Sequence, residues 1–259
     1  MEEAVGEASK KDSPSRAYDL FKKNILNAFH LYGRVFTQKF SKDDNRLMRA
    51  MYITYLISCL ESYFTGLFKE MFSKNLLNKE RIFRIKRIKK LKFNFNDLQE
   101  IQSKKISVAE ILAENMNFQN MKYIYEFAKA IEFNKYSQKV KQSLNKTGEN
   151  QDINKSLGVI SKQKNRGLDN LNVSKAINKL ILEYMADDNI LLKLYSADKC
   201  FNTIAQMVCL RHEVVHKAKN INIKHAEIWA YTMATFQFAN MFHRIYEIKV
   251  KELKDKLEE

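Results

Sequence analysis

A guanidinium and two imidazoles fall within six residues of this chain, as Arg211, His212 and His216 in the run Leu210-Arg211-His212-Glu213-Val214-Val215-His216-Lys217-Ala218. Two functional patterns overlap in that run. Arg211 and His216 form Arg-x4-His, while His212, Glu213 and His216 form His-Glu-x-x-His. The first suits RNA cleavage without a metal. Self-cleavage of RNA needs a base for the 2′-hydroxyl, a proton donor for the leaving 5′-oxygen, and positive charge on the phosphorane. Histidine serves the first two because its proton comes and goes near neutral pH. Arginine serves the third, since it stays charged and grips two phosphate oxygens at once. On a helix Arg211 and His216 lie roughly 7.5 Å apart along the axis and about 140° apart around it, whereas His212 shares the side of His216. Arg, His and His then flank one cleft.

The second pattern suits a zinc hydrolase, with two imidazoles four residues apart on one helix face and Glu213 as general base. A third ligand is required. The extended pattern wants Gly at 219 and His at 222, and the chain has Lys219 and Asn222. Glu227 is too close in sequence and Glu247 too far to replace them, and no strand is evident to hold a peptide substrate. The sequence therefore favours the metal-independent reading, with no cofactor and no metal at the site.

The elements around this run read as helices. One proline and six glycines in 259 residues fit an all-α protein, since helix interiors disfavour both. Residues 1–15 read as a disordered polar tail and 16–259 as a single domain, with the Asn-, Lys- and Gly-rich residues 141–172 a flexible insertion. A first helix is predicted over Arg16 to Lys39, with an inner stripe of Leu20, Ile25, Phe29, Tyr32 and Phe36. The next, about Asn45 to Asn75, is the most apolar and is expected at the centre of the bundle. Ser107 and Glu110 form a capping box. Further helices are predicted before Phe133, over Val173 to Asp187, over Ala197 to Lys219, and from an Asn222 cap to the C-terminus. Phe93 to Asn96 alternate as a short extended piece would. His225 and His243 read as surface or helix-flank histidines, and Cys209 as a buried structural thiol.

Charge points to a partner. Forty-five basic against 30 acidic residues give a net charge of +15, which draws polyanions, nucleic acid first among them. Seven basic residues and no acidic one fall between Arg81 and Phe93, interleaved with Ile82, Ile85, Ile88 and Leu91. Arg84, Lys86, Arg87, Lys89 and Lys90 are candidate RNA-backbone contacts; the plainer account is a solvated face packed through its isoleucines. Glu61 sits in an apolar run, Leu60-Glu61-Ser62-Tyr63-Phe64. Either it meets solvent or a structural hydrogen bond, or it supports the Arg211 site. Three cysteines without Cys-x-x-Cys spacing argue against a disulfide framework and for a reducing compartment. No signal peptide or 18-residue apolar span is visible, so the expected location is cytoplasmic, away from membrane.

The run Arg211-His212-Glu213-Val214-Val215-His216 resembles the Arg-polar-x3-His motif of HEPN domains (higher eukaryotes and prokaryotes nucleotide-binding). His212 stands where that family has a polar residue. Leu60-Glu61-Ser62-Tyr63-Phe64 and Asn115-Met116-Asn117-Phe118-Gln119-Asn120 are similar to the subgroup associated with RNA repair ligases and phosphatases. The resemblance implies a HEPN-like helical bundle that pairs as a homodimer around its motif helices, forming one composite RNA cleft. It also implies an endoribonuclease that leaves cyclic phosphate ends, acting as a toxin or antiviral defence effector, with an antitoxin protein as a candidate partner. A non-catalytic RNA-binding HEPN module is the alternative, and an HExxH zinc metallohydrolase the third reading.

Overall fold

The computed structural model describes residues 16–36, 41–92, 94–138, 196–217 and 221–258. The 1–15 tail, the 141–172 insertion, the helix expected over Val173 to Asp187, and Phe93 lie outside the described residues. Every regular element within them is helical, so the fold is all-α. In chain order these are α1 (Arg16–Phe36), α2 (Lys42–Ser73), α3 (Lys79–Arg84), α4 (Lys86–Lys89), α5 (Phe95–Gln102), α6 (Val108–Glu114), α7 (Met121–Ala130), α8 (133–138), α9 (Ala197–Lys217) and α10 (His225–Glu258). None is long and apolar enough to cross a membrane.

Four long helices make the core, and their paired side chains fix their directions. Tyr52 meets Thr232, Tyr63 donates to the Ala239 carbonyl at 2.9 Å, and Tyr246 reaches Glu70. Partners thus advance together along α2 and α10, so these two run parallel. Phe21 packs against Tyr63 and Phe236, while Phe29 and Tyr32, further along, meet Trp229. Hence α1 is antiparallel to both. Phe201 packs on Phe238 and Phe242, and the Met207 sulfur lies 3.6 Å from the Thr235 hydroxyl, so α9 is antiparallel to α10.

The apolar register decides which faces turn inward. On α1 the buried residues are Tyr18, Phe21, Ile25, Phe29 and Tyr32, spaced by three or four. Leu20, expected inside, is 51 % exposed: it lies one residue, about 100°, off that stripe. Helix α2 starts at Lys42, because the Ser41 hydroxyl accepts from the Asp44 amide. Its Tyr52, Leu56, Leu60, Tyr63, Phe64, Leu67 and Phe68 are all buried as expected. Yet the helix enclosed on every side is α10, where each residue from 231 to 243 is buried. Its polar members sit inside with the rest: Thr232, Thr235, Gln237, Asn240 and His243. Thr232 and Thr235 satisfy their hydroxyls on the carbonyls of Ile228 and Tyr231, one turn back.

Three sequence expectations fail here. His243 is 3 % exposed rather than a surface residue, stacked on Tyr18 at 4.0 Å and facing Glu247 at 3.4 Å. An aromatic ring and a carboxylate supplied by packing cover it. Asn94 caps a helix instead of joining an extended piece: its side chain accepts from Asp97 while Asp97 accepts from the Asn94 amide. The reciprocal pair satisfies two amide donors at the start of α5. The Ser107–Glu110 capping box forms as expected. Asn222 lies before α10 rather than capping it, and Glu227 accepts from the Lys224 amide.

Candidate functional site

Helix α9 divides into a buried half and an open half. Cys200, Phe201, Ile204 and Met207 are buried at three- and four-residue spacing against α10. Past Met207 the burial falls away. Val208 and Leu210 are only partly covered, while Cys209, His212, Val215 and His216 are exposed. Cys209 is therefore not the buried thiol that was expected, because the helix has already begun to leave the core. Cys59 and Cys200 are buried, which pushes their thiols up to about 11 and about 12 and leaves them unreactive.

On the open half, His212 and His216 stand one turn apart with ring centroids 4.8 Å from each other. Arg211 is half-buried, and its Nε is sealed from water without a hydrogen-bond partner. Among the described residues, no carboxylate is placed in an ion pair with its guanidinium. Among the described residues, no group of three or more His, Cys, Asp or Glu side chains converges as metal ligands. The His-Glu-x-x-His spacing is present, and among the described residues no third ligand is brought to it.

Glu61 is placed elsewhere. It accepts a hydrogen bond from the Gln119 side-chain amide, across 58 residues of sequence. The two line a cleft of about 240 Å³ with Thr65, Arg87, Glu114 and Asn117. Neither Arg211, His212 nor His216 is among its described walls. The tertiary structure thus joins two of the three motif stretches, Leu60–Phe64 and Asn115–Asn120, through Glu61 and Gln119. It draws in Arg87 from the basic segment. Gln119 was visible in the sequence as part of the Asn115–Asn120 stretch, but nothing local marked it as Glu61's partner.

The basic segment breaks into α3 and α4 at Ile85, whose ψ of 120° is extended. Ile82, Ile85 and Ile88 are buried, and Arg84, Lys86, Arg87, Lys89 and Lys90 are exposed. Arg84 lies 3.8 Å from Glu80, both side chains largely in solvent, an arrangement that holds little energy. The isoleucine anchor and the cationic outer face are thus both real, and the second leaves the charge facing outward. No family model, no curated protein and no solved structure matches this chain.

Proposed function

We propose that this chain is a metal-independent endoribonuclease of HEPN type, acting as a homodimer whose paired α9 helices form one RNA cleft. The observation that carries the reading is the open half of α9. A half-buried arginine whose Nε has no hydrogen-bond partner and two exposed imidazoles 4.8 Å apart follow one another there. In this scheme one imidazole takes the 2′-hydroxyl proton as the 2′-oxygen attacks phosphorus. The P–O5′ bond breaks, and an imidazolium gives its proton to the departing 5′-oxygen. His216 is one of this pair; His212 shares the proton transfer or orients it. Arg211 grips the non-bridging oxygens as charge builds on them. The products are a 2′,3′-cyclic phosphate and a 5′-hydroxyl. The outward cations of α3 and α4 supply attraction for the polyanion. A toxin or antiviral role in the cytoplasm, under an antitoxin protein, belongs to the same proposal.

The test is incubation of the protein with total RNA in chelator, wild type beside His216→Ala, with mapping of the ends. Cleavage with cyclic-phosphate ends in the wild type alone supports the reading. Salt-sensitive RNA binding without cleavage, unchanged in His216→Ala, would leave a binding module. Activity abolished by chelator and restored by zinc would leave a metallohydrolase.

A further inference from the structure

We infer that the groove between α7, α8 and the start of α9 is a docking site for an unpaired strand of RNA, built around a stacking platform at Tyr125. The groove encloses about 730 Å³, within the roughly 300–1,000 Å³ of ligand-sized clefts. Tyr125 lies nearly parallel to Phe201, with centroids 4.9 Å apart and planes 11° from coincident. Phe201 is buried, and Tyr125 is 42 % exposed. One face of the tyrosine is thus held against the core and the ring remains open to the groove. Behind it, Phe201 is wedged edge-on between Phe133 and Phe238, so the platform is rigid before any ligand arrives. Preorganisation of this kind lowers the ordering cost of binding.

The walls supply the rest of what a single strand needs. Arg81, Lys129 and Lys135 bring cations to the groove, Lys129 being ion-paired with Glu126 at 3.1 Å, and Asn134 and Asn202 bring amides able to meet base edges. Arg81 is fixed in place by donating to the Lys129 carbonyl at 3.1 Å. Two carboxylates also line the groove: Glu132, which Lys249 approaches at 3.7 Å, and Asp198, in the first turn of α9. A cationic wall beside an aromatic face is the combination that binds unpaired strands without reading sequence. A duplex hides its base faces and gains nothing from the ring. The same helix, α9, carries Phe201 and, ten residues and about 15 Å further along its axis, Arg211. A strand seated on Tyr125 therefore lies within reach of the histidines. The choice of RNA rests on the endoribonuclease reading; the ring and the cations by themselves select an unpaired polyanion.

A labelled 2′-O-methyl oligouridine strand tests this, because it lacks the attacking hydroxyl and stays intact on the wild-type protein. Fluorescence anisotropy in chelator should show Tyr125→Ala binding about five- to a hundred-fold more weakly and Tyr125→Phe binding as wild type. Lys129→Ala with Lys135→Ala should reduce the slope of log affinity against log salt by about 1.4, from about 0.7 per phosphate released. Unchanged melting temperatures confirm that these exposed positions leave the fold intact. Wild-type affinity in Tyr125→Ala, or equal competition by a duplex of the same length, overturns the proposal even if cellular RNA is cut. Tyr125-dependent binding with no cleavage of natural RNA upholds the groove and overturns the nuclease reading instead.

Discussion

Replacing Arg211 with alanine should leave the protein standing and stop it cutting. The stability side follows from the structure. The Arg211 Nε is buried without a partner, and an unsatisfied buried donor costs about 1–3 kcal/mol. Alanine removes that cost. It also removes the partly covered methylene stem, at about 0.8 kcal/mol per fully buried methylene. The two terms oppose each other and are of similar size, so the net change should stay within about 1 kcal/mol of zero. An arginine in a buried ion pair would behave differently, since breaking such a pair costs about 3–5 kcal/mol. On the catalytic side, losing a fixed transition-state cation costs about 100- to 1000-fold in rate. Arg211→Lys should fall between, because it keeps the charge and loses the two-pronged grip. Urea unfolding at constant slope measures the first quantity, and single-turnover cleavage of a labelled RNA in chelator the second. Destabilisation beyond about 2 kcal/mol would show that the guanidinium holds the fold together. Wild-type cleavage by the alanine variant would refute its assignment as the phosphate grip.

Three further outcomes are expected. A methyl group at Gly66 would stand 2.8 Å from the Ala17 Cβ, so Gly66→Ala should destabilise by about 1–3 kcal/mol through overpacking between α1 and α2. Adding Ala17→Gly should recover part of that in thermal melts, and no recovery would place the strain elsewhere. Phe64 is fully buried among Phe118, Phe127, Phe238 and Phe242, and Phe64→Ala should cost about 3–5 kcal/mol in denaturant unfolding. Burial alone would raise the Glu247 carboxyl, but His243 at 3.4 Å and Arg244 at 2.9 Å together hold it below the usual carboxylate value. A carboxyl depressed in the folded state contributes stability above its ordinary range and loses it as pH falls through the folded value. Glu247→Gln should therefore flatten the acid side of stability plotted against pH, and an unaltered acid limb would show that this cluster does not act on the fold.

The sequence settled what depends on neighbours in the chain. Scarce proline and glycine are compatible with long helices because each residue's backbone preference is local. Ser107 and Glu110 announced a helix start for the same reason, since both partners of the capping box lie within one turn. The spacing of Ile82, Ile85 and Ile88 foretold their burial, and Arg211, His212 and His216 were legible as a group because a single helix carries them.

Packing decided whatever depends on which helix lies against which. Gln119 comes to Glu61 from 58 residues away, a pairing no window of sequence contains. His243, Gln237 and Asn240 are buried because α10 is surrounded on all sides, although their types alone argue for the surface. Leu20 faces water and Cys209 is exposed because the contact stripe of a helix is set by its neighbours as well as by its own residues. Periodicity states that a helix has a buried face, but only the assembled bundle fixes where that face begins and ends.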